Sequence, residues 1–108
     1  MVMNPNEKPK ENIDSEKERI INALKQKGVI DIEVRKEIIE WTKQREEQVV
    51  TSRDAIILNM ERVDFYLATG DINGATECLD DAWTQANKEG EEDLKMKIEE
   101  RLRNLKLN

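Results

Sequence analysis

Both prolines of this 108-residue chain lie within its first nine positions, and the apolar residues that follow recur at intervals of three and four. Proline disrupts helices more strongly than any other residue, so nothing after Pro9 prevents a helix from forming. Apolar residues three and four positions apart share one face of a helix, whereas the alternation that marks a half-buried strand is missing. The sequence therefore predicts an all-α fold, a small up-and-down bundle of three to five helices.

The length of the chain is that of one domain. Residues 1–13 are polar and carry both prolines, so we expect a disordered tail there, followed by a single helical domain over residues 14–108. Ser15 begins a capping-box pattern, which predicts that the first helix starts near it. Gly28 can end that helix, and Asp31 can cap the next one.

The second apolar stripe extends from residue 32 to residue 69 but weakens between Thr42 and Gln48. One unbroken helix over this range would be about 57 Å long, which is long for a small domain. Thr51 and Asp54 form a second possible helix cap directly before the apolar stripe resumes. The sequence leaves two alternatives open: one long helix, or two helices with a break near Thr51.

A tight corner is predicted within YLATGDINGATECLDDA, residues 66–82. Gly70 can adopt the positive φ angle that ends a helix, and Asp71 can cap the following helix with its carboxylate. When one residue ends a helix and the next begins another, the two helices fold back against each other as a hairpin. Ala75 and Ala82 then lie on the packed face, where small side chains allow the helix axes to approach closely.

Residues 56–88 resemble the second half of a tetratricopeptide repeat, whose unit pairs two helices across a Gly-Asp type turn. In that family an aromatic residue precedes the turn by about one helical turn, and two alanines seven positions apart follow it. The matching residues are Tyr66 before the turn, Ala75 and Ala82 after it, and Leu79 between the alanines. The resemblance, which covers one unit, implies a peptide-binding helical hairpin at the C-terminal end of the bundle.

Residue types that carry catalysis are scarce. The chain has no histidine, which removes the commonest general base and the commonest metal ligand. Its one cysteine, Cys78, lies on an apolar helix face and is expected to be a buried, inert side chain. The glycines are isolated and form no phosphate-binding loop, and the segment that begins at Asp71 lacks the spacing of a calcium loop. We therefore expect no catalytic activity, no cofactor and no metal site.

The charge balance argues against nucleic acid as a partner. A net charge of −6 repels phosphate backbones. Residues 15–48 nevertheless favour nucleic acid as a partner. They predict a helix, a short turn with Gly28, and a second helix, which is the shape of a helix-turn-helix. The second helix combines five glutamates with four cations. Those cations are Arg35, Lys36, Lys43 and Arg45.

The apolar runs are too short for a membrane span, which needs roughly 18 residues. The N-terminus lacks the apolar core of a signal peptide, and a single cysteine forms no intrachain disulfide. These features predict a cytoplasmic protein that does not engage a membrane.

The function that these features favour is a small acidic protein–protein interaction module that binds another protein or a peptide. The candidate partner-binding residues are Trp41, Met60 and Asp64. Trp41 has two interpretations, the end of the core or an exposed anchor of the kind enriched at interfaces. Two alternative functions stay open: a helical structural protein that assembles into homo-oligomers, and a DNA-associated regulator that uses residues 15–48.

Overall fold

The computed structural model describes residues 10–107, with the side chains of residues 15–106. Within that range every regular element is an α-helix, and no strand is present. This confirms the predicted all-α bundle. The five helices are α1 (Lys10–Lys27), α2 (Ile32–Glu47), α3 (Ser52–Ala68), α4 (Ile72–Glu89) and α5 (Glu92–Leu107).

Of the two alternatives for residues 32–69, the structure has the break near Thr51, which separates α2 from α3. Thr51 Oγ1 accepts a hydrogen bond from the Asp54 N–H at 3.1 Å, and the Thr51 N–H donates to Asp54 Oδ2 at 3.2 Å. These two bonds form the reciprocal capping box. The Val50 N–H donates to the same carboxylate oxygen, and the bonds from Val50 and Thr51 hold the pKa of Asp54 below its usual range.

Helix α1 begins earlier than the sequence pattern predicts. It starts at Lys10, so Ser15 lies inside the helix and the capping box predicted there is wrong. No proline or glycine lies between Lys10 and Gly28, so nothing in the sequence forces a start at Ser15. Of the predicted tail, residues 1–9 lie outside the described residues, and residues 10–13 belong to α1.

Helix α3 is the centre of the molecule because it has two apolar faces. Ile56 and Val63, seven residues apart, pack into a core shared with α4 and α5. Leu58 and Phe65, also seven residues apart, pack into a second core shared with α1 and α2. A helix that is apolar on two sides packs between layers, and the charged side chains of α3, such as Arg53, Glu61 and Asp64, are accordingly half-buried.

The corner between α3 and α4 confirms the predicted hairpin. Gly70 has a φ of +75°, and Asp71 Oδ1 accepts the Gly74 N–H at 2.8 Å as the cap of α4. Ala75 and Ala82 are fully buried in the core between α3, α4 and α5. The small alanine side chains let α4 approach α3 closely.

Candidate interaction surface

Trp41, the first of the predicted partner-binding residues, is part of the core. It is 1% exposed, and its ring meets the ring of Phe65 edge-on, with centroids 5.0 Å apart. Val34 and Trp41 are seven residues apart on α2, and both join the core with α1 and α3. Of the two interpretations of Trp41, the structure supports the core residue, and the side chain is not accessible to a partner.

Asp64 and Met60 contact other helices of the same chain. Lys17 Nζ donates to Asp64 Oδ2 at 2.6 Å, and Arg101 Nη2 donates to Asp64 Oδ1 at 2.8 Å. Arg101 Nη1 also donates to the carbonyl oxygen of Met60 at 3.0 Å. Both oxygens of the Asp64 carboxylate therefore link α3 to α1 and α5, and the half-buried Met60 side chain packs on the core. Both residues also line a groove between α3 and α5, and their contact with a partner stays a prediction.

The four cations of the helix-turn-helix alternative have different environments. Arg35, Lys36 and Lys43 are exposed on α2. Arg45 is half-buried and donates from Nε and Nη2 to the two carboxylate oxygens of Glu61 on α3. Since Arg45 is held by Glu61, the exposed cations are the other three, of which Lys36 lies 4.0 Å from Glu33 on the same helix.

A different surface stands out at the turn between α1 and α2. Val29, Ile30, Ile32 and Ile39 are each more than half exposed. Ile32 and Ile39 are seven residues apart, so they share one face of α2, about 10 Å apart along its axis. We call these four residues the turn patch. Scattered exposed apolar residues are ordinary, whereas a cluster of them marks an interaction site.

A groove of about 380 Å³ lies beside the turn patch, between the α1–α2 turn, α2 and α3. Its walls are mainly apolar, and Val29 belongs to both the groove and the turn patch. The apolar wall residues are Leu24, Val29, Ile38, Phe65 and Tyr66, and the polar ones are Thr42, Arg62, Thr69 and Asp71.

The two charged residues of the groove, Asp71 and Arg62, differ in their partners within the chain. The Asp71 carboxylate caps α4 through the Gly74 N–H. Arg62 is half-buried and forms no ion pair with any described residue. The groove therefore presents an unpaired guanidinium among apolar side chains.

Cys78 on α4 is the one cysteine of the chain and is half-buried. Burial raises the pKa of the Cys78 thiol, and the positive charge of Arg62 offsets this only in part. The thiol form therefore predominates at neutral pH, although Cys78 is half-buried and not fully buried as the sequence predicted.

The described part of the chain contains neither a candidate metal-binding cluster nor a candidate membrane-spanning helix. No group of three acidic or cysteine side chains there could hold a metal ion. None of the helices between residues 10 and 107 is long and apolar enough to cross a membrane.

Comparison of the chain with family models, with curated proteins and with solved structures finds no match. The resemblance of residues 56–88 to a tetratricopeptide hairpin therefore stays a prediction.

Sequence reasoning missed the turn patch and the groove. The available signal was the run Val29, Ile30 and Ile32 directly after Gly28. Turns are normally rich in polar residues, so β-branched apolar residues at a turn need a reason outside the core. The contribution of Arg62 and Phe65 to the same groove depends on how α3 packs, which no local pattern shows.

Proposed function

We propose that the protein is a protein–protein interaction module without catalytic activity, and that it binds its partner through the turn patch and the adjoining groove. The observation that carries this proposal is the exposure of Val29, Ile30, Ile32 and Ile39 in the α1–α2 turn and the first half of α2. Covering apolar surface is worth about 25 cal/mol per Å², so a partner that covers four such side chains gains a substantial driving force. A concave apolar groove beside an apolar patch fits a helix or a short peptide.

The same surface disfavours the DNA-binding alternative. In a helix-turn-helix, the N-terminal residues of the second helix contact base edges in the major groove. In the first turns of α2 the exposed cations Arg35 and Lys36 are accompanied by the apolar Ile32 and by Glu33, whose carboxylate lies 4.0 Å from Lys36. An apolar surface of this kind supports a protein partner more than a phosphate backbone.

Ile39→Gln and Met96→Gln form a matched pair that tests the proposal. The two side chains are equally exposed, 66% and 67%, and both lie within helices, but Met96 is on α5, away from the turn patch. In quantitative affinity capture from the native host, we expect Ile39→Gln to lose a protein that wild type and Met96→Gln retain. Circular dichroism verifies that both variants fold. Equal capture by all three proteins would contradict the proposed binding surface.

A further inference from the structure

We propose that the segment docked in the groove carries a carboxylate, from an aspartate or glutamate flanked by apolar residues, and that this carboxylate pairs with Arg62. The inference rests on the proposed function and specifies the chemistry of the partner. It depends on the position of one cation and on the composition of the groove around it.

The half-buried arginines of the described chain show why Arg62 is exceptional. Arg45 pairs with Glu61, and Arg101 pairs with Asp64. Arg53 pairs with Glu91 and Asp93. Arg62 is likewise half-buried, and no ion pair joins it to a described residue, although Asp71 lines the same groove.

An apolar segment that fills the groove would remove water from the Arg62 guanidinium. Covering a cation without supplying a partner is costly, so a purely apolar ligand would bind poorly. A carboxylate satisfies the planar guanidinium with two parallel hydrogen bonds. A segment with a carboxylate between apolar side chains therefore uses both the walls of the groove and its charge.

Polyanions fit the groove less well than a single carboxylate. Arg62 is one cation, and Asp71 contributes a negative charge to the same groove. The chain as a whole has a net charge of −6 and repels nucleic acid and anionic lipid surfaces. The geometry thus favours an amphipathic peptide segment of one or two charges over a phosphate-rich partner.

Peptide selection provides the test, because it works before any natural partner has been identified. A display library of random peptides of about 12 residues, enough for a helical segment of about three turns, is selected on the full-length protein. Selected peptides should share an acidic residue flanked by apolar residues. Their affinity is then measured by fluorescence polarisation against wild type, Arg62→Met, Arg62→Lys and Arg103→Met.

Arg103 is the control because it is an exposed arginine that forms no ion pair with the described residues. We expect Arg62→Met to bind the peptides roughly tenfold to 100-fold more weakly, the range for a charge-assisted hydrogen bond. Arg62→Lys should retain part of the affinity, and Arg103→Met all of it.

Replacing the acidic residue of the peptide by its amide should weaken binding to wild type but not to Arg62→Met. Thermal melts of each variant separate lost binding from lost folding.

The outcomes distinguish this inference from the proposed function. Peptides that lose affinity with Ile39→Gln but show no acidic preference overturn the role of Arg62 and leave the interaction surface intact. Failure to select any peptide that is sensitive to Ile39→Gln overturns both. Tighter Arg62-dependent binding to duplex DNA or to phosphatidylserine vesicles overturns the choice of a peptide carboxylate. A dimer in sedimentation experiments that dissociates with Ile39→Gln would assign the surface to a second copy of the chain and overturn the inference as well.

Discussion

The aromatic ring of Tyr66 occupies the space in which a side chain at residue 74 would begin. A Cβ atom built on Gly74 would lie 2.6 Å from Tyr66 Cδ1 and 2.7 Å from Asp71 Oδ2. Both distances are shorter than non-bonded atoms tolerate, so Gly74 is what allows the α3–α4 corner to close. Since Tyr66 also lines the groove, the packing at Gly74 positions one wall of the proposed binding surface.

Gly74→Ala should therefore destabilise the protein, although alanine is the better helix former by about 1 kcal/mol. Overpacking costs about 1–3 kcal/mol, so we expect a net loss of up to about 2 kcal/mol in the free energy of unfolding. Urea denaturation followed by circular dichroism measures it. The control is Gly74→Ala made in a Tyr66→Leu background and compared with Tyr66→Leu alone. It should cost less there, because the contact with the ring is gone and only that with Asp71 Oδ2 is left. A gain in stability from Gly74→Ala alone would contradict the clash.

Gly70→Ala tests the backbone of the same corner by a different mechanism. Gly70 has a φ of +75°, and a Cβ atom there would meet no other atom within 4 Å. The effect is therefore backbone strain alone, and we expect a loss of roughly 1 kcal/mol. Gly70→Asn should cost less, because asparagine tolerates the left-handed region better than alanine does. If alanine stabilised the protein in the same denaturation experiment, the helix would have to continue through residue 70.

The helix ends were the most predictable part of the fold. Gly70, Asp71 and the Thr51–Asp54 box act through hydrogen bonds and dihedral angles within a few residues, so their signals are present in local sequence. The start of α1 was missed because Ser15 matches a capping pattern that also occurs in the interior of helices. A cap pattern defines where a helix can begin and does not exclude an earlier start.

The functional surface was less predictable because it depends on contacts between distant residues. Asp64 lies 37 residues from Arg101 and 47 from Lys17, and both side chains bind it. Nothing near Asp64 in the sequence shows that its carboxylate is engaged. Arg62, two residues away on α3, lies in the groove and forms no ion pair with the described residues, a difference that only the packing of α3 reveals.

Trp41→Ala tests the assignment of Trp41 to the core. The side chain is fully buried against Phe65, so truncation should cost about 3–5 kcal/mol. For a domain of ordinary stability, about 5–15 kcal/mol, that is a large fraction of the total. The expected result is a large drop in the urea midpoint, whereas Trp83→Ala, at a half-buried position, should cost less. A variant that keeps wild-type stability would restore the exposed-anchor interpretation.

Ala82→Leu tests the close approach of α4 to its neighbours. Ala82 is fully buried in the core between α3, α4 and α5, so additional methyl groups must displace that core. We expect a loss on the order of 1–3 kcal/mol in the free energy of unfolding. Glu77→Leu introduces the same side chain at an exposed position of the same helix and should change stability by less than about 0.5 kcal/mol. Equal effects of the two substitutions would show that position 82 is not packed.

The ion pair between Arg53 and Asp93, which links α3 to α5, makes stability depend on pH in acid. Arg53 Nη2 donates to Asp93 Oδ2 at 2.6 Å, and Nη1 donates to Asp93 Oδ1 at 3.0 Å. The hydrogen bonds from Arg53 lower the pKa of Asp93 from 3.8 to about 2. A carboxyl group whose pKa is lower in the folded state stabilises that state above its unfolded pKa, and this contribution disappears as pH falls through the folded pKa.

Asp93→Asn should therefore be less stable than wild type at about pH 5, and the difference should shrink as the pH falls from about 4 towards about 2. Urea denaturation at a series of pH values measures the difference in the free energy of unfolding. The partner variant Arg53→Met is the control, because Asp93→Asn made in that background should produce a much smaller pH-dependent difference, the part due to the backbone N–H of Leu94. If the difference between wild type and Asp93→Asn stayed constant across this range, or was undiminished in the Arg53→Met background, Arg53 would not be the main group that lowers the pKa of Asp93.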